Sequence, residues 1–409
     1  MFERRIPEWL RHAPAPSVQG FAILAACEAV ARGMLISVFP VALYNALQDA
    51  ALVSQIYFLV GLASLSAGLL VPWINRVVPR RWIYSLGAAL FVIGSALAAS
   101  GHPSALIAGL ACTTLSTVVT FVCFNAYVLD YIDKIELGRC ETLRLFYSAL
   151  GWTVGPAAGV TLMALAPQAP FAIAGTASAA MLVTFLYMRL GNGRLITRAR
   201  RPATNPLTFL GRFFVQPRLV AGWLFAVIRS CGWWAYVVYL PIYALGAGLP
   251  ETIGGVMLST TNATLFITPL MLRYMRATSV RHTVRVGFAA TAMAFVAASL
   301  LSPWPWAAVA MLYCGSVFLI LLDVSAGLPF LMAVKPSERT EMSAVYASYR
   351  DVSGILTPGA AWLVLLAAPV WGIFAATGAA LGIAFGIAAS LHPRLGQARL
   401  LPEVAAPAQ

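Results

Sequence analysis

Six charged residues lie within stretches otherwise apolar enough to cross a membrane: Glu28, Arg32, Arg229, Asp323, Arg350 and Asp351. Three acids balance three bases. An ionised side chain near the centre of a bilayer costs about 2.5–3.5 kcal/mol on insertion scales, so each should face protein or a wet cavity and find a partner. A carboxylate beside an arginine can hold or release a proton as that partner moves. The plainer alternative is a set of ion pairs that only fix helix register. Glu28 and Arg32 stand four apart with the acid first, the favourable order for a pair on one helix. Arg350 and Asp351 are adjacent, diverge by about 100° and cannot satisfy each other. Their expected partners therefore lie on other helices, Asp323 for Arg350 and Arg229 for Asp351. Counted at 1.5 Å per residue, most of the six fall about 15–20 Å into their spans, near one layer.

The elements that must position these charges follow from composition. The chain has 409 residues, 60% of them hydrophobic and 10% charged, with mean hydropathy +0.82. No water-soluble domain of this size hides so much apolar side chain, so the chain reads as an all-α polytopic membrane protein. Spans of about 20 apolar residues are expected at 18–43, 51–74, 82–100, 104–130, 142–165, 169–190, 219–246, 252–272, 284–301, 305–333, 342–366 and 368–391. Of the 27 basic residues, 24 fall in the two tails and in every second connection, and the remaining three are Arg32, Arg229 and Arg350. By the positive-inside rule both termini and the basic loops are cytoplasmic, in a bacterial-type inner membrane. The net charge of +13 is then explained by loops beside anionic lipid, and no nucleic-acid partner is needed.

Six cysteines show no CxxC spacing, and the four histidines sit at or near helix ends. Neither a metal site nor a cofactor is expected from them. The chain divides into a six-helix bundle at 1–190, a basic linker at 191–218, a second bundle at 219–393 and a tail at 394–409. The halves repeat: Ala29-Val30-Ala31-Arg32 aligns with Ala226-Val227-Ile228-Arg229 at an offset of 197. At an offset of 200, Arg139 pairs with Arg339 and Ser148 with Ser348. Six helices per half leave the copies parallel, related by an axis along the membrane normal.

Hydroxyl and aromatic stripes accompany the charges. Span 7 carries Arg229, Trp233, Tyr236 and Tyr243 on one face, span 4 carries Thr113, Thr117, Thr120, Phe124, Tyr127 and Tyr131, and span 11 carries Tyr346, Arg350, Ser353 and Thr357. For any one of these residues plain helix packing is the readier account. Span 5 holds Gly151, Gly155, Pro156 and Gly159, small residues that permit close helix approach and, with the proline, a bend.

In these features the chain resembles the major facilitator superfamily over nearly its full length. The connection after span 2 is similar to that family's signature: Gly68 and Leu70 fit, Asn75 replaces the usual Asp, and Arg76, Arg80 and Arg81 follow. Arg139 and Arg339 resemble its arginine-bearing loops. The glycine–proline set of span 5 is similar to the signature of its proton-linked exporters, although a role where the halves meet suits that set as well. The resemblance implies a monomeric transporter, not an enzyme, whose spans 1, 4, 7 and 10 line a central cavity. The stripes on spans 4 and 7 would then look into that cavity. With no Gly-x-x-x-x-Gly-Lys-Ser/Thr loop to bind ATP, an ion gradient is the expected energy source. Proton-coupled efflux of a small organic solute is the first expectation. Proton-coupled uptake of an anionic or zwitterionic solute is the alternative, and a membrane sensor or lipid-handling protein a remote one.

Overall fold

The computed structural model describes residues 17–132, 136–188, 209–335 and 338–392. Every described element is helical. The first half comprises α1 (Val18–Leu47), α2 (Ala50–Val77), α3 (Arg80–Ala99), α4 (Pro103–Tyr131), α5 (Leu137–Leu165) and α6 (Ala169–Met188). The second half comprises α7 (Pro217–Gly246), α8 (Ile253–Ala277), α9 (Val280–Leu300), α10 (Pro305–Ala333), α11 in two pieces (Arg339–Tyr346 and Tyr349–Leu365) and α12 (Trp371–Ala389). Eleven of these are long and apolar enough to span a bilayer. The twelfth, α11, falls short as a single helix because it breaks at Ala347–Ser348.

Local chemistry sets the ends. Ser17, Asp49 and Ser279 accept hydrogen bonds from the first free backbone N–H groups of α1, α2 and α9, which otherwise have no intrahelical partner. Two start points differ from the sequence expectation. α5 begins at Leu137 and α9 at Val280, so Arg139 and Arg281 belong to helices rather than loops.

The halves differ in regularity. Spans α1 to α6 run unbroken, although α1 and α5 contain Pro40 and Pro156. In the second half, α7 holds a π-helical turn at Ala235–Tyr239, α8 a 3₁₀ turn at Thr264–Ile267, and α10 a break after Ser325. Each irregularity precedes a proline, at Pro241, Pro269 and Pro329. A proline cannot donate to the carbonyl four residues earlier, and its ring crowds that carbonyl. In α8 the Thr268 hydroxyl donates instead to the Leu265 carbonyl at 2.7 Å.

Packing repeats in the two halves. α1 packs on α5 and α6 as α7 packs on α11 and α12; α3 packs on α4 and α6 as α9 packs on α10 and α12. The halves meet through α2 with α11 and α5 with α8. Ser148 and Ser348 show the repeat at atomic scale. The Ser148 hydroxyl donates to the Ala25 carbonyl on α1, and the Ser348 hydroxyl accepts from the Trp223 indole on α7.

Candidate functional site

The glycines of α5 face α1, in their own half. A Cβ at Gly151 would lie 2.8 Å from Ala29 backbone, and one at Gly155 would lie 2.7 Å from Gly33 backbone. At Gly159 it would run into the Met34 carbonyl. These glycines therefore seal α1 to α5 and do not form the contact between halves, which corrects that part of the sequence reading. The proline beside them does reach the other half. Pro156 has no N–H for the Trp152 carbonyl, and Asn262 of α8 donates to that carbonyl at 2.6 Å. The Ala157 N–H donates to the Ser259 hydroxyl at 2.9 Å. A backbone opened on α5 is thus completed by side chains of α8.

The equivalent contact of α2 with α11 is built differently. Gly61 approaches the Gly354 carbonyl, which Pro358 leaves without an intrahelical donor, and Gly359 lies against Phe58. Toward the end away from the termini, Asn45 donates to Glu251 and Tyr239 to Ser54. Among the described residues, these hydrogen bonds and backbone approaches between halves all lie from mid-depth to that end. Nearer the end that carries the termini, the Arg350 guanidinium of α11 and the Phe121 ring of α4 face each other across the cleft between the halves.

Of the six intramembrane charges, four form two pairs. Glu28 and Arg32 meet at 3.0 Å on α1, with the guanidinium over the Trp152 ring. Arg229 of α7 meets Asp323 of α10 at 3.0 Å. Its Nε lies off the hydrogen-bond axis, so the contact is one of charge more than of an aligned donor. Trp233 donates to the other carboxylate oxygen at 3.0 Å, and Tyr349 lies under the guanidinium. Arg229 is 10% exposed and Asp323 is 38% exposed, so one partner is held in protein while the other reaches the cleft.

This pairing replaces the expected one. Arg350 donates to the Tyr349 hydroxyl and lies over the rings of Tyr349 and of Phe121 on α4. Asp351 is partly buried and makes no ion pair among the described residues. Sequence spacing gave directions around each helix but not which helices are neighbours. α7 lies between α10 and α11, and that arrangement hands Asp323 to Arg229.

The stripes divide as well. The span 4 stripe turns onto its own half. Thr113 and Thr120 pack toward Gly94 and Gly87 of α3, and Thr117 donates to its own helix. Phe124 is buried edge-on to Phe21 under the Arg144 guanidinium. The side chain of α4 that faces the cleft is Phe121, at the neighbouring position, which the sequence reading passed over. Arg144 is a partly buried helix residue paired with Glu141. On α7, Trp233 reaches the cleft, whereas Tyr236 is buried in a hydroxyl chain with Thr261 and Ser316. Ser353 is buried against Ser230, and Tyr346 stacks on Phe330 at 4.0 Å. Of the loop motif, Gly68 packs against Val118, the buried Asn75 carbonyl oxygen has no hydrogen-bond partner, and Arg139 meets Glu136 at 3.7 Å. The side chains of Arg76 and Arg339 lie outside the described residues.

Two pseudo-equivalent halves, a cleft between them and charges along it form a recognisable architecture. The chain matches the Major Facilitator Superfamily over residues 21–358. It belongs to that family. Among solved structures of the same fold is the nucleoside transporter NupG, at 14% identity and TM-score 0.69, covering 92% of this chain and 99% of that one. A POT family transporter solved with a thioalcohol-conjugated peptide matches at 11% identity and TM-score 0.70, covering 91% and 94%. A bacterial homologue of the iron transporter ferroportin, in an inward-facing state, matches at 13% and 0.68, covering 91% and 96%. No curated protein sequence matches the chain significantly. A member of this superfamily is a secondary transporter rather than an enzyme, and its partner is a small molecule.

Proposed function

We propose that this transporter moves a small organic solute by alternating access, coupled to protons, with Asp323 as the proton-exchanging carboxylate. The observation that carries this is the Arg229–Asp323 pair. It joins two helices, α7 and α10, its acid is open to the cleft, and Trp233 holds that acid in place. Protonating Asp323 removes its charge attraction to Arg229 and frees α7 and α10 to shift. A proton bound there thereby favours one arrangement of the halves. Solute binding that favours the arrangement with Arg229 beside Asp323 would release the proton, which is the linkage an antiporter needs. By the distribution of basic residues, the end that carries the termini faces the cytoplasm. Export is the direction we favour, with the chain working as a monomer in an inner membrane.

Proteoliposomes with an imposed pH gradient test this reading. Solute flux should follow the gradient in the wild type and ignore it in Asp323→Asn. Flux through Asp323→Asn that still follows the gradient would remove Asp323 from the mechanism. Wild-type flux indifferent to the gradient would remove proton coupling altogether.

A further inference from the structure

We infer that Arg350 is the receptor for a negatively charged group on the solute, and that the solute is an organic anion with a flat apolar body. The inference rests on the transporter reading above and adds the substrate class. Three arginines lie within the spans, and two already have a carboxylate at 3.0 Å: Glu28 for Arg32 and Asp323 for Arg229. Arg350 has none. Its polar partner is the neutral Tyr349 hydroxyl, at 3.1 Å, and its side chain is exposed.

The direction of Arg350 follows from its neighbours on α11. Ser353 donates to Ser230 on α7, and Gly354 and Ile355 meet Gly61 on α2. At 100° per residue, Arg350 lies between the directions of Ser353 and Gly354, along the edge of α7 where Gly354 faces Trp234 and beside the gap between the halves, and Asp351 turns toward α2. Across that gap stands Phe121 of the opposite half, 38% exposed, its ring centroid 5.9 Å from the guanidinium carbon. A guanidinium without a carboxylate is costly at this depth, and the two aromatic faces relieve only part of that cost. The planar fork of an arginine matches a carboxylate with two parallel hydrogen bonds. A ring carrying that carboxylate would fall against Phe121. The anion would then touch both halves at once, Arg350 on one side and Phe121 on the other. A neutral or cationic ring of the same shape would leave Arg350 as it stands.

The test uses the purified full chain and three probes of one shape, benzoate, benzamide and benzylamine, which are anionic, neutral and cationic. Binding is followed by calorimetry and by the shift in thermal unfolding. Benzoate should bind the wild type in the millimolar range or tighter, and the other two at least tenfold more weakly. Arg350→Gln should lose benzoate binding by tenfold or more, Arg350→Lys should fall between, and Phe121→Ala should weaken benzoate while leaving its preference over benzylamine. Wild-type elution and unfolding profiles for Arg350→Gln show that the loss is not one of folding. Equal binding of benzamide or benzylamine, benzoate binding unchanged in Arg350→Gln, or no benzoate binding would each overturn the inference. Binding is measured without a gradient, so it separates from the transport reading. Lost anion preference with intact proton-driven flux defeats this inference alone. Kept preference with gradient-blind flux defeats the coupling alone.

Discussion

The two halves place an arginine at the same repeat position, Arg32 on α1 and Arg229 on α7, and give each a different kind of partner. In the first half the acid is Glu28, one turn away on the same unbroken helix. That separation is set by the helix itself and changes little when helices slide or tilt. In the second half the acid is Asp323, on another helix, between two spans that each contain an irregular turn. The energy of that pair depends on how α7 and α10 stand to each other. One pair serves solvation and the other can report conformation, which is why the exchangeable proton is placed in the second half. The two contacts between halves differ in the same spirit. α8 presents Ser259 and Asn262 to the backbone of α5. At the repeat offset the corresponding positions of α2 are Leu62 and Leu65, and its contact with α11 is glycine against backbone.

The largest effect should come from the rigid half. A leucine at Gly155 forces α1 from α5, where even a Cβ would sit 2.7 Å from the Gly33 backbone. Overpacking of this kind costs about 3 kcal/mol or more, and monodisperse yield and the unfolding midpoint should both fall sharply. Gly386→Leu, with open space around it, should leave both near wild type; equal damage from the two would mean the α1–α5 seam is not the stiff part.

Next comes the contrast between the acids. Asp323→Asn should cost gradient-driven flux about tenfold or more, equivalent to about 1.4 kcal/mol in the barrier, and flatten its pH dependence, because the amide has no proton to exchange. Glu28→Gln should keep that pH dependence. Reversed outcomes would move the proton site to α1.

Smaller is the tie across α5 and α8. Asn262→Ala leaves the Trp152 carbonyl unpaired and should cost about 1–2 kcal/mol in thermal stability. Restoring the donor with Pro156→Ala should make the same change cheaper by about 0.5 kcal/mol or more. Strict additivity would show that Asn262 does not act through the proline gap. The smallest effects should be alike in the two halves. Ser148→Ala and Ser348→Ala each remove one hydrogen bond to the first helix of their half, about 0.5–1.5 kcal/mol apiece by the unfolding midpoint.

Much of the fold is legible in the sequence because a bilayer leaves few choices. Backbone groups in lipid must be satisfied within the segment, so each long apolar run is a helix. The proline positions mark where the second half is irregular, although α11 breaks at Ala347–Ser348 with no proline there. The site is less legible. Glu28 with Arg32 could be read directly, since both ends of that pair lie on one helix. Arg229 with Asp323 could not, since it depends on α10 packing beside α7. The span 4 stripe shows the same limit. Its threonines have the right spacing for one face, yet that face packs on the glycines of α3, and Phe121, one position away, meets the cleft.

By itself, then, the sequence determined a series of membrane-spanning helices, an internal repeat and six charges within the spans, because hydropathy, repeat and charge cost are properties of the chain read in order. Only the tertiary structure decided which helices are neighbours. It gave Asp323 to Arg229, turned the α5 glycines onto α1, and left Arg350 facing the gap between halves with no ion pair among the described residues. The physical reason is that a helix fixes the angle between its own residues, while the choice of what stands opposite them belongs to the packing of the other helices.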